Sequence, residues 1–310
     1  MTTLSGLPGL SALAELVRAP AALSVPGDVL AGAAGAGALG ARGVRACGLG
    51  AASVCLYWAG MAANDWADRE LDARERPGRP IPSGRVPAGA ALGVAAGLTA
   101  GGLALAGLAG GWRALGVAVP LAGAVWSYDL WLKGTVAGPA AMAACRGLDV
   151  LLGASPGPVR RAALPALTIA AHTYLVTALS RREVTGSDPL LPAATLAGTL
   201  AVAALPVTPA PGGLVPAGPV PGGRLGRRGW RRLLATGLAA GYAAGYGRPQ
   251  YRAVGAPTAA NIQASVAAGI TGLPALQGAL LARSGAPVAA AAVALAAPLG
   301  RRLARWWSPT

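Results

Sequence analysis

Several long stretches of this chain contain no charged residue at all. A helix needs about 20 mostly apolar residues to cross the hydrocarbon core of a membrane, so each stretch is a candidate span. Only 12% of the 310 residues are charged, whereas soluble domains carry about a quarter. The sequence therefore predicts an all-α, polytopic integral membrane protein. The uncharged stretches are residues 46–64, 86–112, 162–180, 189–223 and 253–282.

Charged residues divide the chain into nine or ten transmembrane helices, which we expect to form a bundle around a central cavity. Residues 1–20 form a cytoplasmic N-terminal segment, and residues 21–307 form a single transmembrane domain. Alanine and glycine are abundant, which favours close contacts between helices. Residues 206–228 contain too much proline and glycine for a helix and predict a loop. The predicted spans lie near residues 21–41, 46–63, 87–110, 114–128, 134–154, 162–180, 190–206, 230–247, 258–282 and 284–302.

The net charge of +15 comes from basic residues of which all but one are arginine. These arginines lie in short groups between hydrophobic segments, where they set orientation and contact anionic lipid. We therefore expect membrane lipids as partners and no nucleic acid. Basic residues are more numerous on the side of the N-terminus, which predicts a cytoplasmic N-terminus in the cell membrane. The loops at residues 64–86, 128–134 and 180–189 then face the cytoplasm.

A cluster of acidic residues opens the loop "NDWADRELDARERPGRPIPSGRV", residues 64–86. Asp65, Asp68 and Asp72 have the spacing i, i+3, i+7, which places them within an arc of about 60° on a helix. Three such carboxylates repel one another unless a cation lies between them, and Mg²⁺ commonly bridges carboxylates to substrate phosphates. The arginines that follow suit a diphosphate. A solvated loop of loosely paired charges has the same composition, so the spacing leaves both interpretations open.

The same loop resembles a known signature. "NDWADRELD" followed by "RPGRPIPSGRV" is similar to the first motif of the UbiA superfamily of intramembrane prenyltransferases, N-D-x-x-D-x-x-x-D and then R-P-x-x-S-G. The motif follows the second predicted helix, as it does in that family. The resemblance implies Mg²⁺-dependent transfer of an isoprenyl group from an isoprenyl diphosphate to an acceptor, often an aromatic ring.

The resemblance also assigns roles to individual residues. It implies that the three aspartates hold Mg²⁺, directly or through water, with Asn64 in a supporting role. Arg79 and Lys133 would contact the diphosphate oxygens. Tyr128 and Tyr174 would stabilise the allylic cation with their ring faces.

The second acidic loop departs from the family pattern. The family carries a D-x-x-x-D cluster after the sixth helix, whereas this chain has "SRREVTGSD", in which Glu183 is followed by Gly186 and Asp188. Glu183 would replace one metal-binding aspartate. Arg181 and Arg182 stand beside it, so we expect diphosphate binding to depend more on arginine here. This departure resembles the EboC-like branch of the superfamily.

Charged residues within the predicted fifth span form a second candidate site. Arg146 and Asp149 lie one helical turn apart, and a charge inside a membrane indicates a function unless it is paired. One interpretation is a salt bridge between them that holds helices together. The other is that Arg146 faces the diphosphate while Asp149 orients it or touches the acceptor. Asp28 is expected near the rim of the cavity, and His172 is expected to form a hydrogen bond between helices.

Three classes of function fit these observations. The leading hypothesis is an Mg²⁺-dependent prenyltransferase with Asp65, Asp68, Lys133 and Arg146 as its catalytic residues. The alternative is a non-catalytic relative that binds or hands on a lipid-like biosynthetic intermediate. A transporter is disfavoured because the acidic residues lie in a loop at one face, not at the middle of the membrane.

Overall fold

The computed structural model describes residues 9–40, 43–208 and 226–295, and within these ranges it contains helices and loops without a strand. The predicted all-α fold is confirmed. Two short 3₁₀ helices, Ala19–Ser24 and Val159–Ala162, and a π-helix, Tyr128–Leu132, join longer elements. The α-helices are α1 Leu10–Leu16, α2 Val25–Gly35, α3 Gly43–Ala67, α4 Arg69–Glu75, α5 Ala88–Ser127, α6 Gly138–Ala154, α7 Ala163–Ser180, α8 Leu190–Ala204, α9 Arg227–Gly255, α10 Ala259–Arg283 and α11, residues 287–295.

Four helical segments of the described chain are long and apolar enough to cross a membrane. The apolar helix α8 is shorter. The remaining helices of the bundle are shorter or more charged and pack against these four. The four segments are Gly43–Ala67, Ala88–Leu132, Val159–Ser180 and Ala259–Arg283.

Helix α5 is a hairpin of two helices, as the predicted spans 87–110 and 114–128 require. Gly111 has φ 66° and ψ −157°, a conformation outside the helical region, and separates the two halves. The indole N–H of Trp126 donates to Thr99 Oγ1 at 3.1 Å. In a straight helix these residues would lie about 40 Å apart, so the second half of α5 folds back along the first.

Two predicted boundaries differ from the structure. The predicted span 21–41 begins as a 3₁₀ helix and its α-helix ends at Gly35, before a turn in which Gly37 has φ 69°. The predicted span 230–247 belongs to a longer helix, because α9 continues through Arg248 and Arg252. Most of the predicted loop 206–228 and the end of the predicted span 284–302 lie outside the described residues.

Glycines let α2 and α6 approach at backbone distance. Gly32 faces the carbonyl of Val150, and Gly153 faces the backbone of Val29, so a Cβ atom on either glycine would overlap the opposite helix. This contact confirms the predicted close packing through small residues. It also places the charged residues of α6 directly beside α2.

Two large apolar clusters hold the bundle together. One cluster contains residues of α6, α7, α8, α9 and α10 around Ile169, Tyr242 and Leu276. The other contains residues of α2, α3, α5 and α6 around Leu49 and Leu152. The predicted interhelical hydrogen bond of His172 is confirmed, since its Nδ1 lies 2.9 Å from the hydroxyl of Tyr242. The histidine is therefore part of the core. The candidate site lies in the other cluster, between α2, α3, the second half of α5 and α6.

Candidate active site

The acidic loop begins at the C-terminal end of α3 and continues into α4. Asp65 and Asp72 are both buried, and a single guanidinium joins them. Arg79 Nη1 lies 3.1 Å from Asp65 Oδ1 and 2.7 Å from Asp72 Oδ2. Two of the predicted ligands are therefore held together by the arginine of the "RPIPSG" segment.

A second arginine reaches Asp65 from the N-terminal segment. Arg18 Nη2 lies 2.9 Å from Asp65 Oδ1, and Arg18 Nη1 lies 3.4 Å from the sulfur of Met61. Arg18 has φ 47°, a left-handed conformation that costs energy for a residue with a side chain. Two hydrogen bonds from Arg85 to Glu15, of 2.5 and 3.0 Å, fix α1 over the loop. The N-terminal segment is therefore part of the site.

Lys133 and Asp129 enter the site from the π-helix Tyr128–Leu132. Lys133 Nζ lies 2.6 Å from Asp68 Oδ1, which joins two predicted residues. Asp129 is 3% exposed and accepts a hydrogen bond of 3.2 Å from Asn64. Short π-helices are frequent at functional sites because they redirect side chains. Sequence analysis missed Asp129, although it is the single acidic residue between Arg113 and Lys133.

A cavity of about 220 Å³ extends from this cluster into the bundle. Tyr128 lines it. Tyr174 is 48% exposed and does not line the cavity, although the neighbouring Thr173 does. The polar and aromatic side chains that line the cavity are Ser53, Tyr57, Tyr128, Asp129, Arg146, Asp149 and Thr173.

The intramembrane charges form a network at the far end of this cavity. Arg146 pairs with Asp28, not with Asp149, because α2 crosses α6 at backbone distance; the Nε–Oδ2 distance is 2.8 Å. The Arg146–Asp149 salt bridge considered above is therefore wrong. Asp28 is fully buried, which corrects its expected position near the rim. Asp149 instead accepts a hydrogen bond of 2.5 Å from Ser53.

The network lies deep in the membrane relative to the acidic loop. Ser53 precedes Asp65 by twelve residues on α3, which corresponds to about 18 Å along the helix axis. We call the end of the cavity at Asp129, which accepts the hydrogen bond from Asn64 of the acidic loop, the mouth. The cavity has a floor formed by Ser53, Arg146 and Asp149.

The second loop is less organised around the mouth than the first. Glu183 makes no ion pair or side-chain hydrogen bond with the described residues, and its partial burial raises its pKa. Asp188 accepts the backbone N–H groups of Leu190 and Leu191 and so caps α8. Arg181 donates to the carbonyls of Lys133 and Thr135 and so ties this loop to the end of the π-helix. Arg182 is exposed and does not line the cavity.

The donor chemistry at the mouth fits Mg²⁺, since Asp65, Asp68 and Asp72 supply the oxygen ligands that a hard cation takes. Each of these carboxylates is paired with a basic side chain. Within the part of the chain that the structure describes, no group of three or more acidic, His or Cys side chains is arranged as a ready metal site. Glu183, the fourth predicted Mg²⁺ ligand, can bind the same ion only if the second loop contributes to this site.

Fold and site together define an integral membrane protein with a cavity in the helix bundle beside an acidic loop. The family model of the UbiA prenyltransferase family matches residues 27–183, half of the chain, so the chain belongs to that family. The resemblance noted in the sequence is thereby confirmed. A search among curated proteins gives no match.

Two solved structures share the fold. One concerns digeranylgeranylglyceryl phosphate synthase in membranes, with a TM-score of 0.63 and 18% identity over 90% of this chain and 99% of that chain. The other is the apo structure of a UbiA homologue from Aeropyrum pernix K1, with a TM-score of 0.58 and 19% identity over 84% of this chain and 96% of that chain. At these identities the likeness shows the fold and not the substrates.

Proposed function

We propose that this protein is an Mg²⁺-dependent prenyltransferase that moves an isoprenyl group from an isoprenyl diphosphate to an acceptor within the membrane. Membership of the family supports prenyl transfer in general. The observation that carries the finer proposal is the set of ion pairs that joins Asp65 and Asp72 to Arg79 and Asp68 to Lys133, next to the end of the cavity that Asp129 lines.

The mouth binds the diphosphate of the donor. Asp65, Asp68 and Asp72, with Glu183 from the second loop, would hold Mg²⁺, which neutralises the charge of the leaving diphosphate when bound. Arg79 and Lys133 donate hydrogen bonds to the diphosphate oxygens. Arg18, which pairs with Asp65, is a further donor, and Arg182 would join it if the second loop contributes to the site. Asn64 orients Asp129, to which it donates a hydrogen bond.

The cavity below the mouth holds the reacting groups. Tyr128 presents its ring to the allylic carbon, where it stabilises positive charge as the C1–O bond breaks. Tyr174 would join it only if its side chain turned inward from its exposed position. The acceptor lies between this point and Arg146 and Asp149 on the floor. We place the mouth at the cytoplasmic face, where the basic loops lie.

One observation favours the alternative of a non-catalytic relative that binds a lipid-like intermediate. Asp188 is used as a helix cap, and Glu183 makes no ion pair with the described residues. The second loop therefore offers one free carboxylate where the family pattern has an aspartate cluster. In that case the first loop would still bind the diphosphate without releasing it.

Release of diphosphate separates the two functions. We expect the purified protein in lipid to release diphosphate from an allylic diphosphate with Mg²⁺ and not with EDTA. Asp68→Asn should reduce the rate at least about 100-fold, because transition-state charge stabilisation of this kind contributes 10²–10³ in rate. Asp188→Asn is the matched control and should keep the wild-type rate, since asparagine also caps helices.

The same experiment identifies the failure of the proposal. Diphosphate binding that is weakened by Asp68→Asn, without any release by the wild type, would establish the non-catalytic relative. Equal release by the wild type and the Asp68→Asn variant would exclude the metal site at the first loop.

A further inference from the structure

The end of the bundle opposite the acidic loop is assembled from the ends of several helices. A Cβ atom on Gly110, beside the turn of the α5 hairpin, would lie 3.3 Å from Ser155 Oγ at the end of α6. Arg283 at the end of α10 donates to the carbonyl of Pro206, just after α8, at 3.2 Å. One apolar cluster joins the end of α2 to the start of α9, the end of α10 and the start of α11. We call this end, with the starts of α3 and α7, the Gly111 face.

The Gly111 face carries arginines and none of the acidic residues of the chain. All 11 acidic residues lie within the described ranges. Asp28 and Asp149 belong to the network inside the bundle, and the others lie in or beside the acidic loop and the second loop. The arginines at or beside the Gly111 face whose side chains are exposed or half-buried include Arg45, Arg113, Arg160, Arg161, Arg231 and Arg232.

The two ends of the bundle differ in how their arginines are neutralised. At the acidic loop, Arg79 pairs with two carboxylates and Arg85 pairs with Glu15. Every ion pair between described residues lies at that end or within the network around Arg146. The arginines of the Gly111 face therefore keep their full charge, and an anion outside the protein can bind them without displacing an internal partner.

Two tryptophans indicate the depth at which these arginines meet the membrane. Trp112 is 78% exposed, and the guanidinium of Arg113 lies 5.7 Å from the centroid of its ring. Trp230 is 57% exposed and directly precedes Arg231 and Arg232. Exposed tryptophans of membrane proteins concentrate at the level of the lipid headgroups, because their rings are amphipathic. The arginines beside them are therefore placed where lipid phosphates lie.

We propose that the Gly111 face is a binding surface for the headgroups of anionic phospholipids, and that the bundle selects such lipids at this end and not at the acidic loop. Guanidinium groups match phosphate oxygens in geometry as well as in charge. The sequence predicted contact with anionic lipid for the arginines in general, and the structure restricts it to one face. The inference uses no residue of the donor site, so it is independent of prenyl transfer.

A matched pair of lipids isolates the charge of the headgroup. Dihexanoylphosphatidylglycerol and dihexanoylphosphatidylcholine have the same acyl chains and both contain a phosphate, but only the first has a net negative charge. Binding is measured as the increase in unfolding temperature of the full chain in a neutral detergent over a concentration series of each lipid. One basic residue near an anionic surface contributes about fivefold in affinity, so we expect the phosphatidylglycerol to bind at least about tenfold more tightly.

A third probe separates a lipid site from a site for a soluble anion. Glycerol 3-phosphate carries the phosphate without acyl chains. Because the tryptophans place the arginines at the membrane interface, we expect it to leave the unfolding temperature unchanged at the concentrations at which the phosphatidylglycerol acts.

Variants connect the lipid preference to the Gly111 face. Arg231→Gln combined with Arg232→Gln removes two charges at the start of α9 and should reduce the ratio of the two lipid affinities at least about tenfold. Arg160→Gln combined with Arg161→Gln removes two exposed charges before α7 and should act in the same direction. The second pair serves if the first variant does not fold.

The acidic-loop end supplies the control. Arg74 and Arg76 are exposed, and acidic residues flank them in the sequence. Arg74→Gln combined with Arg76→Gln makes the same change in net charge at the other end of the bundle. The ratio of the two lipid affinities should stay at the wild-type value.

Each result decides the inference separately from the proposed function. Equal stabilisation by the two lipids, equal stabilisation by glycerol 3-phosphate, or an equal loss of preference in the control variant would overturn it. If the lipid preference is found and diphosphate is not released, the Gly111 face is a lipid site on a protein without transferase activity. If diphosphate is released without any lipid preference, the prenyltransferase stands and the lipid site is wrong.

Discussion

Arg79 illustrates how a few side chains assemble the mouth of the site. Its guanidinium bridges two carboxylates that are each less than 5% exposed and that would otherwise repel one another. Arg76 also approaches Asp72, but at 3.9 Å and with 60% of its side chain exposed. The two arginines belong to the same loop and differ in burial, so a substitution of Arg76 is a suitable control for the same substitution of Arg79.

Loss of the Arg79 bridge should destabilise the protein. Arg79→Gln is expected to lower the free energy of unfolding by about 2 kcal/mol, because a hydrogen bond to a charged group contributes roughly 1.5–3 kcal/mol. Arg76→Gln should change it by less than about 0.5 kcal/mol, as for an exposed pair. Denaturant titration in detergent measures both. Equal losses would mean that Arg79 does not organise the acidic loop.

The residues that sequence analysis found and missed differ in how far along the chain their partners lie. Asp65, Asp68 and Asp72 were predicted because their spacing is local. Arg18 was missed as a partner of Asp65 because 47 residues separate them. Ser53 was missed because a serine in an apolar helix gives no signal, and its partner Asp149 lies 96 residues away. Such pairs exist only once helices cross, and no local pattern encodes the crossing.

At the scale of elements, the hairpin in α5 shows which boundaries a sequence determines. The break near Gly111 was predicted because Arg113 interrupts the apolar run there, whereas the extent of α9 was not, because it continues through charged residues. Gly111 is needed for its conformation, since φ 66° with ψ −157° is accessible almost only to glycine.

Substitution of Gly111 should therefore weaken the hairpin. Gly111→Ala is expected to reduce stability by about 1–3 kcal/mol, the cost of a side chain in a sparsely populated backbone region. Gly116 lies in the second half of the same hairpin with open space at its Cβ position. Gly116→Ala should be neutral or stabilising by up to about 1 kcal/mol. Thermal unfolding in detergent compares the two, and an equal loss from both would refute the role of the turn.

At the scale of the whole molecule, the bundle places every acidic-loop residue at one end and the turn at Gly111 at the other. The first half of α5 runs from the end of the acidic loop to that turn, so the two lie on opposite faces of the membrane. The positive-inside rule predicts that the acidic loop faces the cytoplasm. The orientation of the bundle in the membrane therefore determines the face on which the donor binds.

Cysteine labelling tests this orientation. In a chain whose native cysteines are replaced, Ser83→Cys on the exposed acidic loop should react with a membrane-impermeant maleimide only in inside-out vesicles. Trp112→Cys, at the exposed turn of the hairpin, should react only in intact cells. The opposite pattern would place the donor site on the outer face.

The contacts of the N-terminal helix have a consequence for the order in which the protein is made. Glu15 is held by Arg85, and Arg18 by Asp65, which follow 70 and 47 residues later in the chain. During synthesis α1 therefore has no binding partner until two further helices and the acidic loop have left the ribosome. The first segment to be translated therefore reaches its final position only after the first pair of helices and the acidic loop have been made.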